Sequence, residues 1–249
     1  MAAVELASRE AGNKGRKADK ETRRQQLIDA TIDSLAKRGY SETTMADISD
    51  GAGLSRGIVN FYFDSKEKLL IETLQYLSDE YSAYWRAAVD KSSDTAAAKL
   101  LTLTSCDFDK KICNKRNLAA WCAFWGEAKS RPTYQSLCGA RDLAYQNLFM
   151  DLCKTLIRQG NYPHDSEATA FALLSTLEGL WHRLMMGGDG LNADKARRVA
   201  QLQLVALFPK HFTVDSKDKS IRTTLLTAVR PVETVSAPMT PSETFVLDN

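Results

Sequence analysis

Trp121, Phe124 and Trp125 recur at i, i+3 and i+4, a spacing that puts three large rings on one stripe of a helix. Aromatic faces attract cations, above all a quaternary ammonium, whose nitrogen has no hydrogen-bond donor and is held by ring faces with a carboxylate nearby. Glu178 and Trp181, at i and i+3 of a later segment, could supply that charge and another wall. Tyr145, Asp109 and Asn147 are secondary candidates for groups that recognise a hydroxyl on such a cation. Stripes of this kind also build ordinary core.

A second constellation occupies Thr44 to Lys66. Thr43 or Thr44 can cap a short helix with Met45, Ile48 and Ala52 inward, and Gly53 can take the left-handed turn that ends it. Leu54 plugs the core beneath the turn and the Ser55 hydroxyl can cap a second short helix beginning at Arg56. This is the layout of a helix-turn-helix, whose second helix enters the major groove of DNA. Arg56 can pair with a guanine edge and Asn60 with adenine, while Tyr62 and Lys66 can hold phosphates. Gly57 removes a side chain where backbone approaches phosphate. Ile58 or Val59, together with Phe61, is expected to seat the helix on its core.

Other chemistries find little support. His164, His182 and His211 are dispersed without a carboxylate or cysteine at catalytic spacing, and Gly187-Gly188-Asp189-Gly190 lacks the preceding strand a nucleotide site needs, so no enzyme is expected. Cys106, Cys113, Cys122, Cys138 and Cys153 form no CxxC pair, which argues against a disulfide framework, a zinc site or any other metal centre. One of them could still serve a thiol-based redox sensor if its thiolate were stabilised, and Cys113, among Lys110, Lys111, Lys115 and Arg116, has the most basic setting. The formal charge of +2 is too small to attract nucleic acid globally, so attraction must be local. Arg16, Lys17, Lys20, Arg23 and Arg24 form such a cluster ahead of the first helix. No apolar run is long enough to span a bilayer and the N-terminus lacks a secretory core, so a cytoplasmic location is expected.

These groups must be positioned by helices. With 44% hydrophobic and 26% charged residues in 249, the chain can bury a sizeable core. Helical periodicity runs through almost every segment after residue 20, so the fold class is all-α. The first helix is expected from about Lys20 to Arg38, with Leu27, Ile28, Ile32 and Leu35 inward. Ser65 can cap a long fourth helix reaching about Val89, and later helices are expected near 94–109, 115–130, 134–159, 166–186 and 193–208. Apolar faces on the last two, including Phe171, Leu174, Leu177, Leu180 and Leu184, then Val199, Leu202, Val205 and Ala206, suit a four-helix dimer interface. The resulting division is a flexible basic leader over 1–19, a DNA-binding domain over 20–64, a ligand-binding and dimerisation domain over 65–210, and a disordered tail over 211–249. Ile221, Leu225, Leu226 and Val229 have the spacing of a short docking helix within that tail.

From the first helix through the Tyr62-Phe63-x-x-Lys66 exit, the chain resembles the TetR family of one-component transcriptional regulators. Its back half resembles the BetI-type branch, choline-responsive repressors of glycine betaine synthesis genes, through Phe108-Asp109, Trp121-Cys-Ala-Phe124-Trp125, Tyr145-x-Asn147-Leu148 and Glu178-Gly179-Leu180-Trp181. The resemblance covers roughly residues 22 to 209. It implies a homodimer that binds a palindromic double-stranded operator and releases it when a small-molecule effector, choline, enters the C-terminal domain. It implies no other cofactor. The leader and tail are additions to that pattern, Glu178 stands in the place of an aspartate, and Arg56 and Asn60 differ from the usual recognition-helix residues.

Overall fold

The computed structural model describes residues 2–128, 130–187 and 190–224, and within them the side chains of 19–137 and 143–224. Nine α-helices are described, followed by one β-hairpin: α1 (Ala2–Glu42), α2 (Met45–Ala52), α3 (Arg56–Tyr62), α4 (Lys66–Lys91), α5 (Ala96–Cys106), α6 (Lys115–Ala128), α7 (Pro132–Gly160), α8 (Ser166–Met186), α9 (Ala193–Leu207), β1 (Phe212–Val214) and β2 (Ile221–Thr223).

The first three helices follow the local chemistry of the sequence. Leu27, Ile32 and Leu35 of α1 are almost completely buried, and Gly39 breaks the helix with φ of 78°. Thr44, rather than Thr43, caps α2: its hydroxyl accepts from the Asp47 amide at 3.1 Å and the Asp47 carboxylate accepts from the Thr44 amide at 3.1 Å. Thr43 is instead buried, where its hydroxyl meets Ser34. Gly53 adopts the left-handed conformation at φ 64° and ψ 30°, and Ser55 caps α3 by accepting from the Ile58 amide. Helix α1 begins earlier than the Lys20 expected from sequence, so part of the anticipated leader is helical.

Ser65 caps α4, whose 26 residues extend about 39 Å at 1.5 Å per residue. Leu69, Leu70, Leu74, Leu77, Tyr81, Trp85 and Val89 form its buried stripe. Helix α6 lies against α1, where Arg116 reaches the Asp29 carbonyl at 2.9 Å and pairs with the Asp29 and Asp33 carboxylates. Helices α5, α7 and α8 close the remaining sides of the rear core. None of the described helices is long and apolar enough to cross a membrane.

Residues 212–223, expected from sequence to belong to a disordered tail, form a hairpin, and 225–249 of that tail lie outside the described residues. Strands β1 and β2 pair antiparallel, with Phe212 opposite Thr223 and Val214 opposite Ile221. A two-stranded ribbon is marginal alone. This one is held because Phe212 and Ile221 are buried and the Phe212 ring lies 6.3 Å from that of Phe208, beyond the end of α9. Ile221 is therefore in a strand rather than a docking helix; Leu225, Leu226 and Val229 lie outside the described residues.

Candidate functional site

Helix α3 stands at the surface with Arg56, Gly57 and Asn60 exposed. Arg56 and Asn60 share one strip at i and i+4, and with Thr44, Met45 and Ala46 they line a shallow groove floored by Val59. Such a strip offers a guanidinium and an amide to base edges. Of the two alternatives Ile58 and Val59, it is Val59 that seats the helix, at 1% exposed against 38% for Ile58, but the aromatic anchor differs from the sequence expectation: Phe63 is 1% exposed and Phe61 76%. Seven residues make barely two turns, so one inward side chain and the aromatic that follows the helix suffice to anchor it. Tyr62 is half-buried with its ring edge-on to Phe61 at 5.3 Å. Lys66 turns toward α1, its ammonium donating to the Tyr40 carbonyl at 3.2 Å and lying over the Tyr40 ring.

Behind this module lies a polar junction. The Tyr40 hydroxyl is 2.8 Å from that of Tyr134 and donates to Glu67, which also accepts from Arg131 at 3.1 Å. Arg131 lies over the Tyr40 ring and binds Glu127 as well. Phe124 completes the contact, edge-on to Tyr134 at 5.6 Å and to Tyr40 at 6.4 Å.

The position of Phe124 alters the aromatic-stripe expectation. At about 100° per residue, i+3 and i+4 fall on opposite sides of i, so Phe124 and Trp125 diverge around Trp121. Phe124 is fully buried in the junction just described, against Tyr40 and Tyr134. Trp121 is also buried; it backs Trp125 at 6.2 Å and faces a crevice shared with Tyr76, Glu80 and Tyr84. Trp125 remains 37% exposed and lies 6.3 Å from Trp181.

Trp125 and Trp181 wall a small pocket of ≈ 70 Å³, with Tyr81, Tyr145, Asp107, Glu178 and Gln146 around them and Leu174 and Leu177 at its base. Of the sequence candidates, the pocket thus brings together Trp125, Tyr145, Glu178 and Trp181. It leaves out Trp121, Phe124, Asp109 and Asn147. Asn147 is exposed on α7. The Asp109 carboxylate accepts from the Lys111 amide at 2.9 Å, which holds its carboxyl below the usual range.

The central acid is Asp107. Its Oδ1 accepts from the Tyr81 hydroxyl at 2.6 Å and the Tyr145 hydroxyl at 2.9 Å, while its carbonyl accepts from Trp181 Nε1 at 2.8 Å. Burial pushes the Asp107 carboxyl up to about 6, with the Glu178 charge adding to the rise and the two tyrosine hydroxyls opposing it. Asp107 and Tyr81 were not singled out from sequence, although a signal existed for both. Asp107 follows Leu103 by four residues and Tyr81 follows Leu77 by four, so each continues a buried stripe.

Among the described residues, the thiols offer no stabilised thiolate; burial raises the thiol of the half-buried Cys122 as well, and the side chain of Cys138 lies outside the described residues. Cys106, Cys113 and Cys153 are buried, and burial raises their thiols to about 12, 11 and 12. The lysines near Cys113 in sequence do not offset its desolvation. Among the described residues, no group of three or more His, Cys, Asp or Glu side chains is placed to hold a metal ion.

Comparisons with known proteins bear on the family and the fold. Residues 27–73 match the model described as bacterial regulatory proteins, tetR family, and residues 96–209 match that of the BetI-type transcriptional repressor, C-terminal. The chain is 34% identical over 192 residues to the HTH-type transcriptional regulator BetI of Stenotrophomonas maltophilia, covering 74% of this chain and 95% of the relative. It is 33% identical over 184 residues to BetI of Burkholderia mallei, covering 73% and 91%. Among solved structures, a putative transcriptional regulator from Saccharomonospora viridis in complex with choline superposes with a TM-score of 0.66 at 20% identity, over 74% of this chain and 95% of the other. A putative regulator from Pseudomonas aeruginosa PAO1 gives 0.66 at 24% identity, over 76% and 91%.

Proposed function

The chain belongs to the TetR family of bacterial regulatory proteins, with a C-terminal half of the BetI type of transcriptional repressor, and from that premise we propose that it is a dimeric repressor of choline-to-glycine betaine genes, bound to a palindromic operator and released by choline.

One observation carries the effector. Four aromatic residues, Tyr81, Trp125, Tyr145 and Trp181, surround the Asp107 and Glu178 carboxyls, and none of the described residues lining the pocket is basic. Ring faces with one buried carboxyl group, Asp107, and one exposed carboxyl group, Glu178, favour a cation that asks for no hydrogen bond at nitrogen. The fold shared with a regulator solved with choline supports the same reading. Trp125, Tyr145, Glu178 and Trp181 are retained as effector contacts, with Tyr81 and Asp107 added. Trp121 supports Trp125 from behind. Raised thiols disfavour the redox alternative.

In this reading, residues 20–64 hold the operator and 65–210 the effector and the dimer contact. Arg56 and Asn60 meet base edges; Thr44, Ser55, the backbone at Gly57 and Tyr62 serve the phosphate backbone, whereas Lys66, expected there from sequence, holds the Tyr40 carbonyl instead. Much of the apolar surface expected at the dimer contact is used internally: Leu174, Leu177 and Leu180 are buried within the chain. Phe171, Val199 and Leu202 remain exposed at 48%, 46% and 42%, and these are assigned to the partner. Choline favours a dimer whose recognition helices no longer sit 34–36 Å apart, the spacing of successive major grooves. A hundredfold loss of operator affinity needs roughly 2.7 kcal/mol of coupling, within the range of allosteric proteins.

The test is fluorescence anisotropy on a duplex selected by the protein from a random library, at fixed salt, with choline and its neutral isostere 3,3-dimethyl-1-butanol. Release by choline alone is the expected result. Binding indifferent to choline removes it as effector and directs the search to other lipophilic cations.

A further inference from the structure

Phe61 is 76% exposed on the helix that carries Arg56 and Asn60, and its ring is not needed to seat that helix because Val59 and Phe63 fill the core beneath it. We propose that Phe61, with Ile58 beside it, reads the C5-methyl group of a thymine in each operator half-site. The proposal rests on the DNA-binding reading of α3 and adds a base preference to it.

The exposed side of α3 consists of two neighbouring strips. Arg56 and Asn60 form a polar one at i and i+4, while Gly57 and Phe61 form an apolar one at the same spacing. Helical side chains lean toward the preceding turn, so the Phe61 ring reaches back over Gly57. That turn is open: a Cβ at Gly57 would meet nothing nearer than the Ser55 hydroxyl at 3.9 Å. The Tyr62 ring meets Phe61 edge-on at 5.3 Å and 86°, giving the exposed ring a fixed neighbour.

A phenyl ring cannot form a conventional hydrogen bond with a phosphate. It gains most from losing water against another apolar group, and the thymine methyl is the one that base edges present in the major groove. Ile58, 38% exposed, adds to the same side. The apolar strip continues directly from the strip assigned to base edges, so one docking of α3 serves both.

The test uses the full-length protein and a duplex it has selected from a random library. Each thymine of a half-site is replaced in turn by deoxyuridine, which removes only the methyl group and leaves pairing intact. One position per half-site is expected to weaken binding roughly fourfold, the worth of one buried methyl group, and about fifteenfold when both half-sites are changed. Phe61→Ala should bind the methylated and unmethylated duplexes equally, whereas Phe61→Leu, which keeps an apolar side chain, should retain part of the discrimination. A wild-type protein indifferent to every such replacement overturns the proposal, as does a Phe61→Ala variant that keeps the full methyl preference. Failure to select any duplex would overturn the underlying DNA-binding reading as well, an outcome distinct from tight but methyl-blind binding.

Discussion

The hydroxyls of Tyr40 and Tyr134 meet at 2.8 Å across the boundary between the recognition module and the helices behind it. Tyr134 is fully buried, and Phe124 lies against it on α6 next to Trp125 of the pocket. Any shift of α6 would therefore press on a contact shared with the end of α1 and, through Glu67, the start of α4.

Tyr134→Phe removes one hydroxyl from that contact while Tyr40 keeps Glu67 as a partner. A net hydrogen bond contributes about 1 kcal/mol, or roughly fivefold in an equilibrium. The expected outcome is unchanged choline affinity with a two- to fivefold smaller choline-induced change in operator binding. Paired calorimetric and anisotropy titrations measure both quantities.

The tryptophans should separate by role. Trp125→Ala removes a half-exposed wall and is expected to weaken choline binding at least tenfold while leaving operator affinity intact. Trp121→Ala empties a buried site and should cost about 3–5 kcal/mol of stability. Calorimetric binding and thermal melts of the two variants test the distinction; equal choline affinity in folded Trp125→Ala would remove this ring from the site.

Choline affinity should depend on pH through Asp107. Its carboxyl is raised to about 6, so it is charged above that value and neutral below it. A cation prefers the charged form, and affinity is expected to be flat above about pH 7 and to fall below pH 6. The same raised value has the opposite effect on the unliganded fold: its stabilising contribution is full below the ordinary aspartate range and is lost as pH rises through about 6. Dissociation constants from pH 5 to 8 for the wild type and Asp107→Asn test the binding arm; the variant should bind more weakly and with a flatter profile.

Native Cys106, Cys113 and Cys153 should resist alkylation at pH 7.5, because burial holds their thiols far above neutrality. Mass spectrometry after brief iodoacetamide treatment tests this directly. Operator binding unaffected by peroxide is the corresponding functional result; a peroxide-dependent loss would revive thiol sensing.

The helix-turn-helix was legible because its signals are local. The Thr44 cap, left-handed Gly53 and Ser55 cap each act within a few residues, so no distant contact could override them. The pocket was only partly legible. Spacing brought Trp125 and Trp181 forward, and the 100° increment already separates Phe124 from Trp125, but it could not show that Tyr40 and Tyr134 take up Phe124, or that Asp107 rather than Asp109 lies beneath the rings. Neither tyrosine that holds Asp107 is near it in sequence. The hairpin was missed for a related reason: β1 and β2 look too polar to build a core, but Phe212 and Ile221 are covered by a core already built around Phe208.

Trp121, Trp125 and Trp181 form a row with successive ring separations of 6.2 and 6.3 Å and tilts near 30°. Indoles this close couple their electronic transitions, so the row gives the molecule its own chromophore, centred on the ring at the mouth of the pocket. Three of the four tryptophans in the chain belong to it, and the fourth, Trp85, is set apart against Tyr145. Near-ultraviolet dichroism and tryptophan emission should thus register occupation of the pocket without any attached label.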